Sequence, residues 1–204
     1  MDMDQLPYGL RCELLDAYGT WVKDTLDQGY TGYLTTFMFN YIPGNSKSII
    51  GSMTKDIEQF YRTLVTRVVR KPRTAQIHQL PKLIALPDRP VPKHFKQALE
   101  DVVVNDGSHA HGITMIPPRS RLDCDLDEHI QLRSSDYIDS RYTRIRHIAA
   151  RKIETRPGYT TEYAFKWLKR NAAAYDHLLI LPVAKSDLPP KEVREYAPLE
   201  PTHW

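Results

Sequence analysis

The segment 108–116 constrains the fold more than any other part of the chain, because it reads as a β-strand with two histidines on one face. Successive side chains of a strand alternate between its faces, so His109 and His111 point the same way. Turn-forming residues precede it at 105–107, and prolines at 117–118 end it because proline cannot donate to a sheet ladder. The segment predicts one arm of a hairpin on which two imidazoles can share a metal ion.

The rest of the chain divides into helical and extended patterns. Apolar residues at three- and four-residue steps, or good helix formers, predict helices at 10–27, 53–69 and 161–174. Short apolar or β-branched runs predict strands at 33–39, 82–86, 108–116, 147–153 and 178–183. This order favours an α+β fold, in which helices cover a largely antiparallel sheet.

Length and composition suggest one main domain. The chain has 204 residues, of which 41% are apolar, enough for one sizeable core. We expect an N-terminal helical extension at 1–29, a central domain at 30–185 and a proline-rich tail at 186–204.

Several classes of protein are disfavoured. The chain has no apolar run long enough to cross a bilayer, and its first residues are acidic where a signal peptide would be basic. Cys12 and Cys124 are the two cysteines, far apart, so neither a disulfide framework nor a cysteine zinc site is indicated. We expect a soluble cytoplasmic protein that does not bind a membrane.

Positive charge is concentrated in one stretch. Residues 141–170 hold nine Lys or Arg against two Glu, and aromatic residues are interleaved at Tyr142, Tyr159, Tyr163 and Trp167. Cations bind a phosphate backbone and aromatic rings stack on bases, so this pattern favours single-stranded nucleic acid as a partner. Solvated helix faces are the alternative interpretation of the charge.

The predicted helix at 161–174 carries a candidate nucleophile. Tyr163 and Lys166 are three residues apart, and Lys169 and Arg170 fall on the same helical face. A phenol is a poor nucleophile at neutral pH unless positive charge favours the phenolate. The lysines could supply that charge and balance an attacked phosphate.

In combination, these motifs resemble a known family. A β-rich first motif at 33–39, His-hydrophobic-His at His109 and His111, and Tyr-x-x-Lys at Tyr163 and Lys166 occur in that order. The order is similar to that of the HUH single-strand DNA endonucleases of the rolling-circle replication initiator type, over roughly residues 30–185.

The resemblance implies a function. Tyr163 would attack a phosphate of single-stranded DNA, forming a 5′-phosphotyrosyl link and freeing a 3′-hydroxyl for a polymerase. Lys166 would assist it, and His109 and His111 would hold Mg or Mn. The reaction would start rolling-circle replication or mobilise a plasmid, phage or transposable element, with duplex unwinding left to a host helicase.

The sequence departs from the family pattern in two places. Ala110 is small where a bulky apolar residue is usual, and Met38 and Phe39 replace the commoner threonine alternation of the first motif. The third metal ligand is left open among three residues: Glu100, Asp88 and His94.

Two further alternatives stay open. Tyr159 lies four residues before Tyr163, the spacing at which two-tyrosine members of the family carry a second nucleophile. The chain could instead be a non-catalytic accessory protein that binds single-stranded nucleic acid without turnover.

Overall fold

A computed structural model of the chain describes residues 7–88, 108–139, 141–169 and 177–182. The helices are α1 (Tyr8–Asp27), α2 (Ser46–Val68), α3 (Leu126–Leu132), α4 (Ser134–Tyr137), α5 (Pro157–Ala164) and α6 (Lys166–Lys169), with a 3-10 turn at Ile77–Gln79. The strands are β1 (Thr31–Phe39), β2 (Lys82–Asp88), β3 (His109–Ile116), β4 (Ile145–Lys152) and β5 (Leu179–Leu181).

The five strands form a single sheet in the order β4-β1-β3-β2-β5, with every neighbouring pair antiparallel. The predicted α+β class with a largely antiparallel sheet is confirmed. The histidine strand β3 occupies the centre of the sheet, hydrogen-bonded to β1 on one side and β2 on the other. The turn predicted at 105–107 lies outside the described residues.

One face of the sheet packs against α2. Asn45 caps the start of this helix: its side chain accepts a hydrogen bond from the Ser48 backbone N–H at 2.9 Å. Its apolar residues recur at helical spacing, as the sequence predicts, and form one buried stripe. The stripe and the sheet together bury Phe37, Ile57, Phe60, Tyr61, Leu64 and Leu83.

The other face of the sheet, which carries the histidines, is covered by α1, α5 and α6. Buried side chains from all three helices meet strand residues there: Leu15, Val22, Ala164, Phe165, Leu168, Ile84, Leu86 and Ile113. The segment predicted as an N-terminal extension therefore contributes to the core. Gly29, at φ +91°, follows α1 and allows the chain to turn into β1.

The predicted helix at 161–174 differs from the observed structure. Helix α5 begins earlier, at Pro157, because proline suits the first turn of a helix, and it ends at Ala164. Phe165 leaves the helical conformation, with φ −110° and ψ 24°, and its side chain is fully buried. Tyr163 and Lys166 therefore belong to two short helices rather than to one continuous face.

The described part of the chain contains no helix long and apolar enough to cross a membrane.

Gly112 allows β2 and β3 to approach closely beside His111. A Cβ atom at this position would lie 2.8 Å from the Ile84 carbonyl oxygen and 3.0 Å from the Ala85 Cβ. The Ile84 backbone is held in the sheet and cannot move away without disrupting β2. Gly112→Ala should therefore lower the free energy of unfolding by roughly 1–3 kcal/mol, the range for overpacking. Urea denaturation measures the loss.

Gly51→Ala is the matched control for this substitution. Gly51 lies inside α2, where an added Cβ meets nothing within 4 Å. Alanine is the better helix former, so this variant should be more stable by about 0.5–1 kcal/mol. Equal effects of the two substitutions would contradict the close approach of β2 and β3.

Acid should destabilise the fold through His129 on α3. Burial is the largest cause that lowers the pKa of His129, followed by the charges of Arg67 and Arg133. Between that lowered pKa and the ordinary value near 6.5, the folded state binds fewer protons than the unfolded chain. The free energy of unfolding should therefore fall as the pH drops through this window, which urea midpoints at a series of pH values would measure.

His129→Gln keeps a polar group near the Tyr137 hydroxyl, which lies 2.9 Å from His129 Nε2, but does not titrate. Its urea midpoint should change less across the same window than that of the parent. Asp56 cannot cause the loss of stability expected in acid. Burial raises its carboxyl pKa, which favours folding at low rather than high pH. An unchanged acid response in the variant would contradict the prediction.

Candidate active site

The two histidines form a close pair on one face of the sheet. The ring centroids of His109 and His111 lie 4.9 Å apart with the planes at 81°. His111 is 8% exposed and His109 is partly buried. Their neighbours in register on β1 are Met38 and Thr36. The alternation predicted from the sequence therefore brings both imidazoles to one place.

Thr36 fixes the orientation of His111. Thr36 Oγ1 and His111 Nδ1 lie 3.1 Å apart across the β1–β3 pair. When Nδ1–H donates to the hydroxyl, the lone pair of the ring is on Nε2, the atom that would ligate a metal. In the sequence, Thr36 is one residue of the first motif at 33–39. Its even spacing from Met38, on the same face of β1, is the signal that could have identified it.

Tyr163 on α5 lies beside this pair. Its ring centroid is 5.9 Å from that of His111, and its side chain is 45% exposed. The Lys166 ammonium nitrogen lies 4.9 Å from the Tyr163 ring centroid. His109, His111, Tyr163 and Lys166, which are scattered along the sequence, thus form one cluster.

Lys169 does not share this arrangement. Its ammonium forms an ion pair with Glu162. Both residues line a pocket together with residues of α1, and Tyr163 does not line that pocket. The expectation that Lys169 lies on a common face with Tyr163 is wrong, because the helix is interrupted at Phe165. Arg170, assigned to the same face, lies outside the described residues.

The packing of α5 on α1 holds Tyr163 over the sheet. The two helices approach closely at Gly19 and Gly158, where a Cβ added to Gly19 would lie 3.6 Å from the Gly158 Cα. Ala164 and Phe165 are buried directly after Tyr163. The tyrosine is therefore carried by an anchored helix while its own ring stays accessible.

The histidine pair has the chemistry of a site for a divalent ion. Imidazole nitrogens are common metal ligands, and the hydrogen bond to Thr36 is the kind of support that metal-bound histidines have. The described residues contain no group of three or more His, Cys, Asp or Glu that could hold a metal ion. Of the three candidates for a further ligand, Glu100 and His94 lie outside the described residues. Asp88 is the residue opposite His109 in the β2–β3 register.

A cleft of 940 Å³ opens next to Tyr163, between α5 and the end of β4. It is lined by Leu34, Arg151, Lys152, Ile153, Glu154, Thr155, Arg156, Tyr159, Thr160 and Tyr163. Arg151 is paired in register with Leu34, which puts it on the histidine face of the sheet. The lining contains three cations and one carboxylate, so the cleft suits an anionic ligand.

Tyr33 of the first motif is part of the core and not of the histidine cluster. It is buried on the opposite face, and its hydroxyl donates to Asp125 Oδ1 at 2.9 Å. Burial, followed by this hydrogen bond, raises the pKa of Tyr33 to about 12. The Tyr33 phenol therefore stays protonated at neutral pH.

We compared the chain with protein families, curated proteins and solved structures. No family model, no curated protein and no solved structure matches it.

Proposed function

We propose that this protein is a metal-dependent endonuclease that nicks and rejoins single-stranded DNA through a tyrosine nucleophile. The observation that carries the proposal is the 5.9 Å separation of the Tyr163 and His111 rings, with His109 beside them. A nucleophile next to a pair of side chains that could ligate a metal ion is one arrangement that supports phosphoryl transfer.

His109 and His111 would hold a divalent ion, Mg or Mn. When bound, the ion supplies a Lewis acid that stabilises negative charge on the attacked phosphate. Thr36 would keep the His111 ring in its ligating orientation through the hydrogen bond to Nδ1.

Tyr163 would perform the covalent step. Its phenolic oxygen bonds to phosphorus as the bond from phosphorus to the 3′-oxygen breaks. The phenolic proton goes to solvent, and the departing 3′-oxygen takes up a proton to become a hydroxyl. The product is a 5′-phosphotyrosyl link, which conserves the bond energy for rejoining. The Lys166 ammonium, 4.9 Å from the Tyr163 ring centroid, would balance negative charge on the attacked phosphate.

This chemistry suits the start of rolling-circle replication, or the mobilisation of a plasmid, phage or transposable element. In either setting the freed 3′-hydroxyl would prime a polymerase. A helicase from the host would supply duplex unwinding. Single-stranded DNA is the partner that the basic cleft supports.

Covalent capture tests the proposal. The protein is incubated with a pool of single-stranded oligonucleotides, labelled at either end, with Mn²⁺ or EDTA, and separated under denaturing conditions. We expect a metal-dependent adduct that carries the 3′-end label, because the protein is joined to the 5′-phosphate of the downstream fragment. Binding of the pool without any adduct would refute the nuclease and favour the accessory protein without turnover.

A further inference from the structure

We infer that the 940 Å³ cleft beside Tyr163 binds the nucleotides that flank the scissile phosphate, with Tyr159 stacking on a base and Arg151 and Arg156 contacting backbone phosphates. This inference rests on the proposed function. It assigns Tyr159 to substrate positioning rather than to a second covalent step.

The cleft is continuous with the histidine site. His111, Thr36 and Ala149 lie side by side across β3, β1 and β4. Arg151 is the next residue of β4 on the same face as Ala149, since strand side chains alternate. A strand whose phosphate lies between His111 and Tyr163 can therefore continue into the cleft past Arg151.

Tyr159 has the features of a stacking platform. It lies in the first turn of α5 and is 69% exposed, and it lines the cleft together with Tyr163. The two tyrosines are four residues apart, one helical turn, so they project along the same side of α5. An accessible aromatic ring on an anchored helix can stack on any base. The ring contact with His111 is made by Tyr163.

The charges of the cleft favour Arg151 and Arg156 as the phosphate contacts. Lys152 also lines the cleft, but its ammonium lies 3.4 Å from the Asp125 carboxylate. Within the described part of the chain, neither arginine takes part in an ion pair, and both are exposed. Glu154 is the acidic residue of the lining and would oppose a phosphate.

Arg156 also has an unusual backbone. Its φ of 52° and ψ of 58° lie in the left-handed region, and it is the one non-glycine residue with positive φ in the described ranges. Glycine adopts this conformation without strain. Strained backbone concentrates at functional sites, so the long cation at this position points to a binding role.

Binding measurements in EDTA, on a Tyr163→Phe background that cannot form an adduct, test the inference. Fluorescence anisotropy follows a labelled single-stranded oligonucleotide pool across a salt series. Tyr159→Ala should weaken binding about ten-fold, whereas Tyr159→Phe should keep the affinity because the ring remains. Tyr142→Ala is the matched control: Tyr142 is 73% exposed, has the Arg141 guanidinium over its ring and lies outside the cleft.

Arg156→Gly tests the phosphate contact and relieves the backbone strain at once. It should raise the melting temperature yet weaken binding, and reduce the slope of log affinity against log salt by about 0.7, the value for one phosphate contact on a single strand. Glu154→Gln should strengthen binding.

Three results would overturn the inference: unchanged binding in both Tyr159→Ala and Arg156→Gly, an equal loss in Tyr159→Phe and Tyr159→Ala, or no binding by the parent. The assay needs neither metal nor nucleophile. A failure of covalent capture with these binding effects intact would therefore remove the nuclease and keep the cleft.

Discussion

Tyr163→Phe should abolish covalent capture of single-stranded DNA. The substitution removes only the attacking oxygen, and loss of a covalent nucleophile lowers turnover by on the order of 10³-fold or more. Tyr163 is 45% exposed, so the fold should tolerate phenylalanine. Adduct yield at fixed time with Mn²⁺, read on denaturing gels, measures the effect.

Tyr159→Phe is the control for this experiment. It removes a hydroxyl from the same helix and the same cleft, one turn away. We expect this variant to form adduct as the parent does. If Tyr163→Phe still forms adduct and Tyr159→Phe does not, the roles that we assign to the two tyrosines are reversed.

His111→Ala should have the second largest effect. It removes one of two adjacent imidazoles and the group that Thr36 orients. Stabilisation of the phosphate by a Lewis acid is worth several kcal/mol, so nicking should slow by on the order of 10³-fold. Mn²⁺ binding, followed by electron paramagnetic resonance of the free ion, should weaken in parallel and does not depend on activity.

Two variants sharpen this prediction. His78→Ala removes an exposed histidine of the 3-10 turn and should leave Mn²⁺ binding unchanged. Thr36→Val keeps both imidazoles but removes the hydrogen bond to Nδ1, so Mn²⁺ affinity should fall by about 10–100-fold, the range for supporting residues. Undiminished Mn²⁺ binding by His111→Ala would exclude the histidine pair as the metal site.

Local periodicity made part of the fold predictable. Alternation along β3 brings His109 and His111 to one face whatever the partner strands are. The apolar residues of α2 lie on one side of the helix, so that side must face the core. The α+β class followed from such patterns, because each depends only on residues close in sequence.

The helix that carries Tyr163 could not be predicted correctly from the local sequence pattern. Good helix formers continue past Phe165, yet the chain leaves the helical conformation there as that ring is buried between α1 and the sheet. The break separates Lys166, which lies over the Tyr163 ring, from Lys169, which pairs with Glu162. Burial of one side chain outweighed helix propensity, which is a weak preference per residue.

By itself, the sequence determined which side chains share a face in two elements: the two histidines on β3 and the apolar stripe of α2. Only the tertiary structure decided which faces meet. The β1–β3 register brings Thr36 to His111, and the packing of α5 on α1 brings Tyr163 to the same histidine and opens the basic cleft beside it. The physical reason is that periodicity acts within a few residues, whereas strand register and helix packing are set by long-range burial of the whole core.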